Sequence, residues 1–102
     1  MEIITKSYQT RNGLVEGVQV KWSGFNILLA AGKKGFLGCG VFDLEALERF
    51  GLPAAIPEST SENPIGTLER FAGRKIMKVN AKAEALGIKV GMDVRDAFEL
   101  IA

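Results

Sequence analysis

The hydrophobic pattern of the first forty residues reads as strands, with period-two alternation over Leu14 to Trp22. Ile3 to Thr10 leads into Arg11-Asn12-Gly13, and Asn-Gly favours a hairpin because both residues tolerate positive φ. After that turn Leu14, Val18, Val20 and Trp22 alternate with Val15, Gly17, Gln19 and Lys21. This predicts a half-buried strand whose core face carries the first set. Ser23-Gly24 makes a second turn, and Phe25 to Ala31 is almost wholly apolar, as expected of a central strand covered on both sides. Gly32-Lys33-Lys34-Gly35 is a third turn, and a fourth strand is predicted over Phe36 to Phe42. Short turns between successive strands imply an antiparallel meander.

The period then lengthens. Asp43 is placed to cap a helix over Leu44 to Phe50, stopped by Gly51, and Pro53 to Glu58 reads as a short edge strand. Ser59 to Asn63 is a polar loop. Asn63-Pro64 opens a helix in which Ile65, Leu68, Phe71 and Ala72 share a face, with Gly73 as its end. Arg74 to Val79 is a further strand. Asn80 caps a brief helix to Leu86, with Gly87 as its stop, and Asp93 caps a last helix over Val94 to Ile101. Residues 1–102 therefore predict one α+β domain: a meander-type sheet of about four N-terminal strands plus one or two later ones, with short helices packed on it. No repeat, linker or low-complexity tract divides it.

Composition narrows the chemistry. There is no histidine, which removes Ser-His and Cys-His catalytic pairs and histidine metal sites. The one cysteine, Cys39, cannot form an internal disulfide and, without histidine, builds no ordinary zinc site, so no metal and no cofactor is expected. The charges nearly cancel, 13 basic against 12 acidic, so no overall field points to nucleic acid or anionic lipid. Met1 to Lys6 has no signal-peptide pattern, and the apolar run Ile27 to Ala31 is far short of a membrane span. A cytoplasmic protein is expected.

Two stretches carry a family resemblance. Gly35-Phe36-Leu37-Gly38-Cys39-Gly40-Val41-Phe42-Asp43 resembles the strand-to-helix passage of the YunC-like proteins, a family of small archaeal and bacterial proteins classed as a domain of unknown function. Leu86-Gly87-Ile88-Lys89-Val90-Gly91-Met92, followed by Arg95 and Ala97, is similar to their C-terminal signature. The resemblance implies no activity, substrate or cofactor. It directs attention to Gly38, Cys39, Gly40 and Asp43.

On a strand, Cys39 shares a face with Leu37 and Val41, where a free cysteine serves as a small buried hydrophobe. As a nucleophile it would need amides at the start of the Asp43 helix to stabilise the thiolate, and Lys33 or Lys34 as base. Gly38 and Gly40 fall on the opposite face, where a helix, a second copy of the chain or a small ligand approaches closely. The Gly32–Gly35 turn reads as a solvated tip, with a weaker alternative in which Lys33 and Lys34 hold an anion. It lacks the nucleotide-binding P-loop pattern. Arg70, Arg74, Lys75, Lys78 and Lys82 read as charges guarding an edge strand, with RNA binding as the alternative. Ala83, Gly87 and Ile88 have helix-turn-helix spacing, but Asp93, Asp96 and Glu99 would then face phosphates. The functional expectation is a non-enzymatic module that binds a small ligand or itself, with a Cys39 thiol enzyme as the rival.

Overall fold

The computed structural model describes every residue, Met1–Ala102. Its six strands are β1 (Glu2–Thr10), β2 (Gly13–Trp22), β3 (Phe25–Ala31), β4 (Phe36–Gly38), β5 (Ala54–Pro57) and β6 (Ile76–Val79). The four helices are α1 (Leu44–Arg49), α2 (Leu68–Ala72), α3 (Ala81–Ala85) and α4 (Val94–Ile101). The strands lie side by side in chain order in one open sheet. Every neighbouring pair is antiparallel except β4 and β5, which run parallel because α1 carries the chain back between them. The α+β class and the N-terminal meander are as the sequence predicts. No helix is long and apolar enough to cross a membrane.

The core lies where α2 and α4 meet the sheet. Val15, Leu28, Ala30 and Leu37 face inward, with Leu68 and Phe71 from α2 and Val94, Phe98 and Ile101 from α4. Phe98 stacks between Tyr8 at 4.7 Å and Phe71 at 6.5 Å, between ring centroids. The single helical face of Ile65, Leu68, Phe71 and Ala72 is buried, but the helix begins only after Thr67, whose hydroxyl accepts from Arg70 N. Pro64 therefore lies in the preceding loop rather than at the first helical position. Asn80 does cap α3, its Oδ1 accepting from Ala83 N at 2.9 Å. Asp93 precedes α4 as predicted but makes no side-chain cap bond. Gly91 to Val94 instead runs beside residues 74–76 through Gly91 N to Ile76 O, Ile76 N to Met92 O and Val94 N to Arg74 O. That pairing occupies the helix-turn-helix connection and fixes it against the sheet.

Two strand assignments change. In β2 the covered face is Val15, Gly17 and Gln19, not Val18, Val20 and Trp22. The pleat is as predicted and the buried side is reversed. Gly17 belongs there because a Cβ would stand 2.9 Å from the Tyr8 ring and 3.3 Å from Leu68 of α2. Gln19 tolerates burial because its amide donates to Gly66 O at 2.9 Å and to Asn26 Oδ1 at 3.4 Å. In β3, correspondingly, Leu28 and Ala30 are buried while Ile27 and Leu29 on the other side are only half-covered. The second change concerns β5. It is no edge strand but lies between β4 and β6 with all four residues buried, and the register slips at Ile56–Pro57, where a proline interrupts the ladder.

Candidate functional site

The strand predicted over Phe36 to Phe42 ends at Gly38. Cys39 N still donates to Leu28 O at 3.0 Å, and then Phe42 N donates to Cys39 O at 3.2 Å, closing a turn with Gly40 and Val41 at its centre. The turn throws the chain into α1, where Asp43 accepts from Glu45 N at 3.0 Å and Ala46 N at 3.2 Å through Oδ1. Gly38, Cys39, Gly40 and Asp43 are thus consecutive parts of one strand–turn–helix passage.

The two glycines differ in their reasons. Gly38 is buried, and a Cβ there would collide with Phe42 and stand 2.6 Å from the Phe36 ring. Those rings pack edge to face at 4.9 Å, so the protein's own side chains account for Gly38. Gly40 is exposed, does not have positive φ, and a Cβ there would meet nothing within 4 Å. Neither packing nor turn geometry demands a glycine at this position.

Gly40 also stands on the ridge between two depressions. One is an open groove of about 690 Å³ with an apolar floor, including Phe42, Ile56, Met77 and Val90, and with Asp43, Glu45, Glu84 and Lys78 around it. The other, about 400 Å³, has Cys39 and Leu28 in its lining beside Phe25, Asn26 and Ile65. Both are shallow enough to take the apolar body of a small ligand or a partner's side chain.

Cys39 is 9% exposed and belongs to the hydrophobic core. No lysine lines its depression. Lys33 and Lys34 lie beyond the far end of β4, and Phe36–Gly38 separates them from Cys39 by more than roughly 10 Å of extended chain. Of the amides at the start of the Asp43 helix, Phe42 N is occupied by Cys39 O, and Glu45 N and Ala46 N by the Asp43 carboxylate. In the Gly32–Gly35 turn two amides are likewise engaged, Gly32 N with Gly35 O and Lys34 N with Ile101 O, and both lysine side chains project into solvent.

The basic segment is not one surface. Arg74, expected on an exposed edge, is 9% exposed. Its guanidinium donates to Asn63 O at 2.8 Å, Asn63 Oδ1 at 3.0 Å, Pro64 O at 2.8 Å and Glu58 O at 3.4 Å. It is buried because the loop from Glu58 to Pro64 turns its carbonyls inward around a planar donor that can satisfy several at once. Lys75 and Lys78 are exposed on β6 and its approach, and Lys82 is exposed on α3. The signal missed in the sequence was the polar Ser59–Asn63 loop, which wraps one arginine rather than hanging free.

No curated protein matches the chain. The crystal structure of a protein of unknown function from Thermoplasma acidophilum superimposes with a TM-score of 0.83, covering 99% of this chain and 94% of that one. At 18% identity the likeness shows the shared fold alone. The model of a domain of unknown function, DUF1805, matches residues 38–101, from Gly38 through the turn, both grooves' later walls and α4. On that match the chain belongs to the DUF1805 family.

Proposed function

We propose that this protein is a non-enzymatic binding module that receives a small ligand or partner group on the Cys39–Asp43 turn. The observation that carries the reading is Gly40: an exposed glycine that the fold does not need, standing between two grooves. A side chain at that point would block close approach to the backbone from outside without touching the protein itself. The neighbouring grooves supply apolar surface, and the carboxylates and Lys78 at their edges supply orientation. The lone cysteine fits a reducing compartment, and we place the module in the cytoplasm. The narrower YunC-like kinship, carried by Gly35–Asp43 and Leu86–Met92, is part of the same proposal.

The test is a fragment library screened by nuclear magnetic resonance against the isotope-labelled protein. Hits are expected to move the amides of Gly40, Asp43, Val79 and Val90, and Gly40→Val is expected to abolish them while the rest of the spectrum stays native. Hits that ignore this region, or that survive Gly40→Val, overturn the proposal. Alkylation of native Cys39 separates the thiol-enzyme rival: rapid labelling that persists well below the ordinary thiol range would favour it.

A further inference from the structure

The reversal of β2 leaves the second face of the sheet without a helix over β1, β2 and β3. Cross-strand rows on that face read Ile3–Val20–Ile27, Thr5–Val18–Leu29–Gly38 and Trp22–Phe25. Phe25 is 47% exposed and Ile3 65% exposed, while Val18, Val20, Trp22, Ile27 and Leu29 are half-buried. An antiparallel sheet with one solvated face normally carries polar residues there. Here the inner side of β2 mixes Val15 with Gly17 and Gln19, while the outer side has valine, isoleucine, leucine and tryptophan.

We infer that this face is where a second copy of the chain docks, sheet against sheet about a two-fold axis. Three features favour a copy. The face carries little charge: its one ionised side chain is Glu16, in the row Ser7–Glu16–Ala31–Phe36 next to Val18, where it already accepts from Ser7 Oγ at 3.0 Å. A centre free of charge meets its own image without repulsion. The pattern is that of an interface, with aliphatic residues at the centre, the Trp22–Phe25 edge-to-face pair at the hairpin end and Thr5, Ser7 and Gln9 of β1 along one border. The extent also suits a dimer. Strand spacing and rise over these four strands, of which β4 is only three residues long, give a face of roughly 470 Å² in plan before side-chain relief is counted, against about 800 Å² per partner in a standard complex. A face of that size falls among the largest patches monomers carry, which are often functional. Two such twisted sheets stack with their strands about 30° apart, which brings Val18, Val20 and Ile27 of each copy to the centre.

This interface lies on another surface from the Gly40 turn and does not rest on the ligand reading. The experiment is sedimentation equilibrium on the whole chain across a concentration series. The wild type is expected at twice the chain mass, and Val20→Glu, which sets like charges face to face, is expected to weaken association roughly 100-fold or more. Gly40→Val is expected to dimerise normally. Should Val20→Glu fail to fold, the sole tryptophan gives an independent readout in the wild type: acrylamide quenching of Trp22 falls as the dimer forms. A monomeric wild type, a Val20→Glu dimer, loss of the dimer in Gly40→Val, or Trp22 quenching that is unchanged across the transition would each overturn the inference. The last three would place association at the β1 edge or at the turn, and the first would leave the face to a different occupant.

Discussion

Replacing Arg74 tests the account of the loop from Glu58 to Pro64. Three of its hydrogen bonds are 3.0 Å or shorter, all donated by a cationic group that is almost fully buried. Hydrogen bonds to a charged group contribute about 1.5–3 kcal/mol each, but the loop is largely exposed, so water replaces part of what is lost. Arg74→Ala should therefore cost about 3–4 kcal/mol, a large share of the roughly 5–15 kcal/mol that holds a domain of this kind together. At about 4–8 °C per kcal/mol, Tm should fall by about 12–32 °C. Arg74→Lys should recover only part of this, because a single ammonium cannot span Asn63 and Pro64 as the planar fork does. Lys75→Ala, at an exposed side chain, should stay within about 0.5 kcal/mol. Urea unfolding followed by circular dichroism gives the free energies, and limited proteolysis should show earlier cleavage near Ser59–Glu62 in the alanine variant. A loss below about 1 kcal/mol, or full recovery by lysine, would refute the reasoning and return Arg74 to the role of an edge charge.

Two further outcomes can be checked on the same samples. Gly38→Ala should destabilise by about 1–3 kcal/mol because its methyl meets the interlocked Phe36 and Phe42 rings, and Phe42→Leu in the same chain should relieve part of that cost; unchanged unfolding would remove the packing account of Gly38. Tyr8, the only tyrosine, donates its hydroxyl to Leu68 O at 2.9 Å, and burial, with the Glu69 carboxylate adding to it and Arg95 opposing, raises its pKa above 10.0. The folded chain thus holds this proton more tightly than the unfolded one, so the Tyr8 contribution is complete below the unfolded value and is lost as pH rises through the folded one. Phenolate absorbance should titrate above 10.0 in the native protein, with stability declining over that range, and a midpoint at or below 10.0 would contradict the burial of this ring.

Strand and helix positions were legible where the local chemistry decides them. Asn12-Gly13 marks its turn, Asn80 caps its helix, and Val94, Ala97, Phe98 and Ile101 share one buried face at the expected spacing. What could not be read was which of two surfaces a neighbour covers. Alternation in β2 separates Val18, Val20 and Trp22 from Val15, Gly17 and Gln19, but it carries no sign; the choice is made by the closeness of Leu68 to Gly17 and the reach of Gln19 to Gly66. The same holds for Arg74, whose burial depends on carbonyls ten to sixteen residues away. At the site, the resemblance directed attention to the Gly38–Asp43 passage, yet the strand pattern put Gly40 on a β face where the structure has a turn. The difference arises because Phe42 folds back onto Phe36 instead of continuing outward, a contact that no period-two pattern encodes.

The placement of α4 beneath the first hairpin has a consequence for how the chain comes together in time. Arg11 N donates to Glu99 Oε1 at 3.1 Å across 88 positions, and the ring of Phe98 completes the pocket of Tyr8. The β1–β3 meander is built from near-neighbour pairings and can assemble early, whereas its inner surface waits for residues made many tens of positions later. On the ribosome, therefore, a three-stranded ribbon would stand bare on both sides until Leu68–Ala72 emerged and half-covered until Val94–Ile101 followed, and for that interval it would be the segment most in need of protection from other chains.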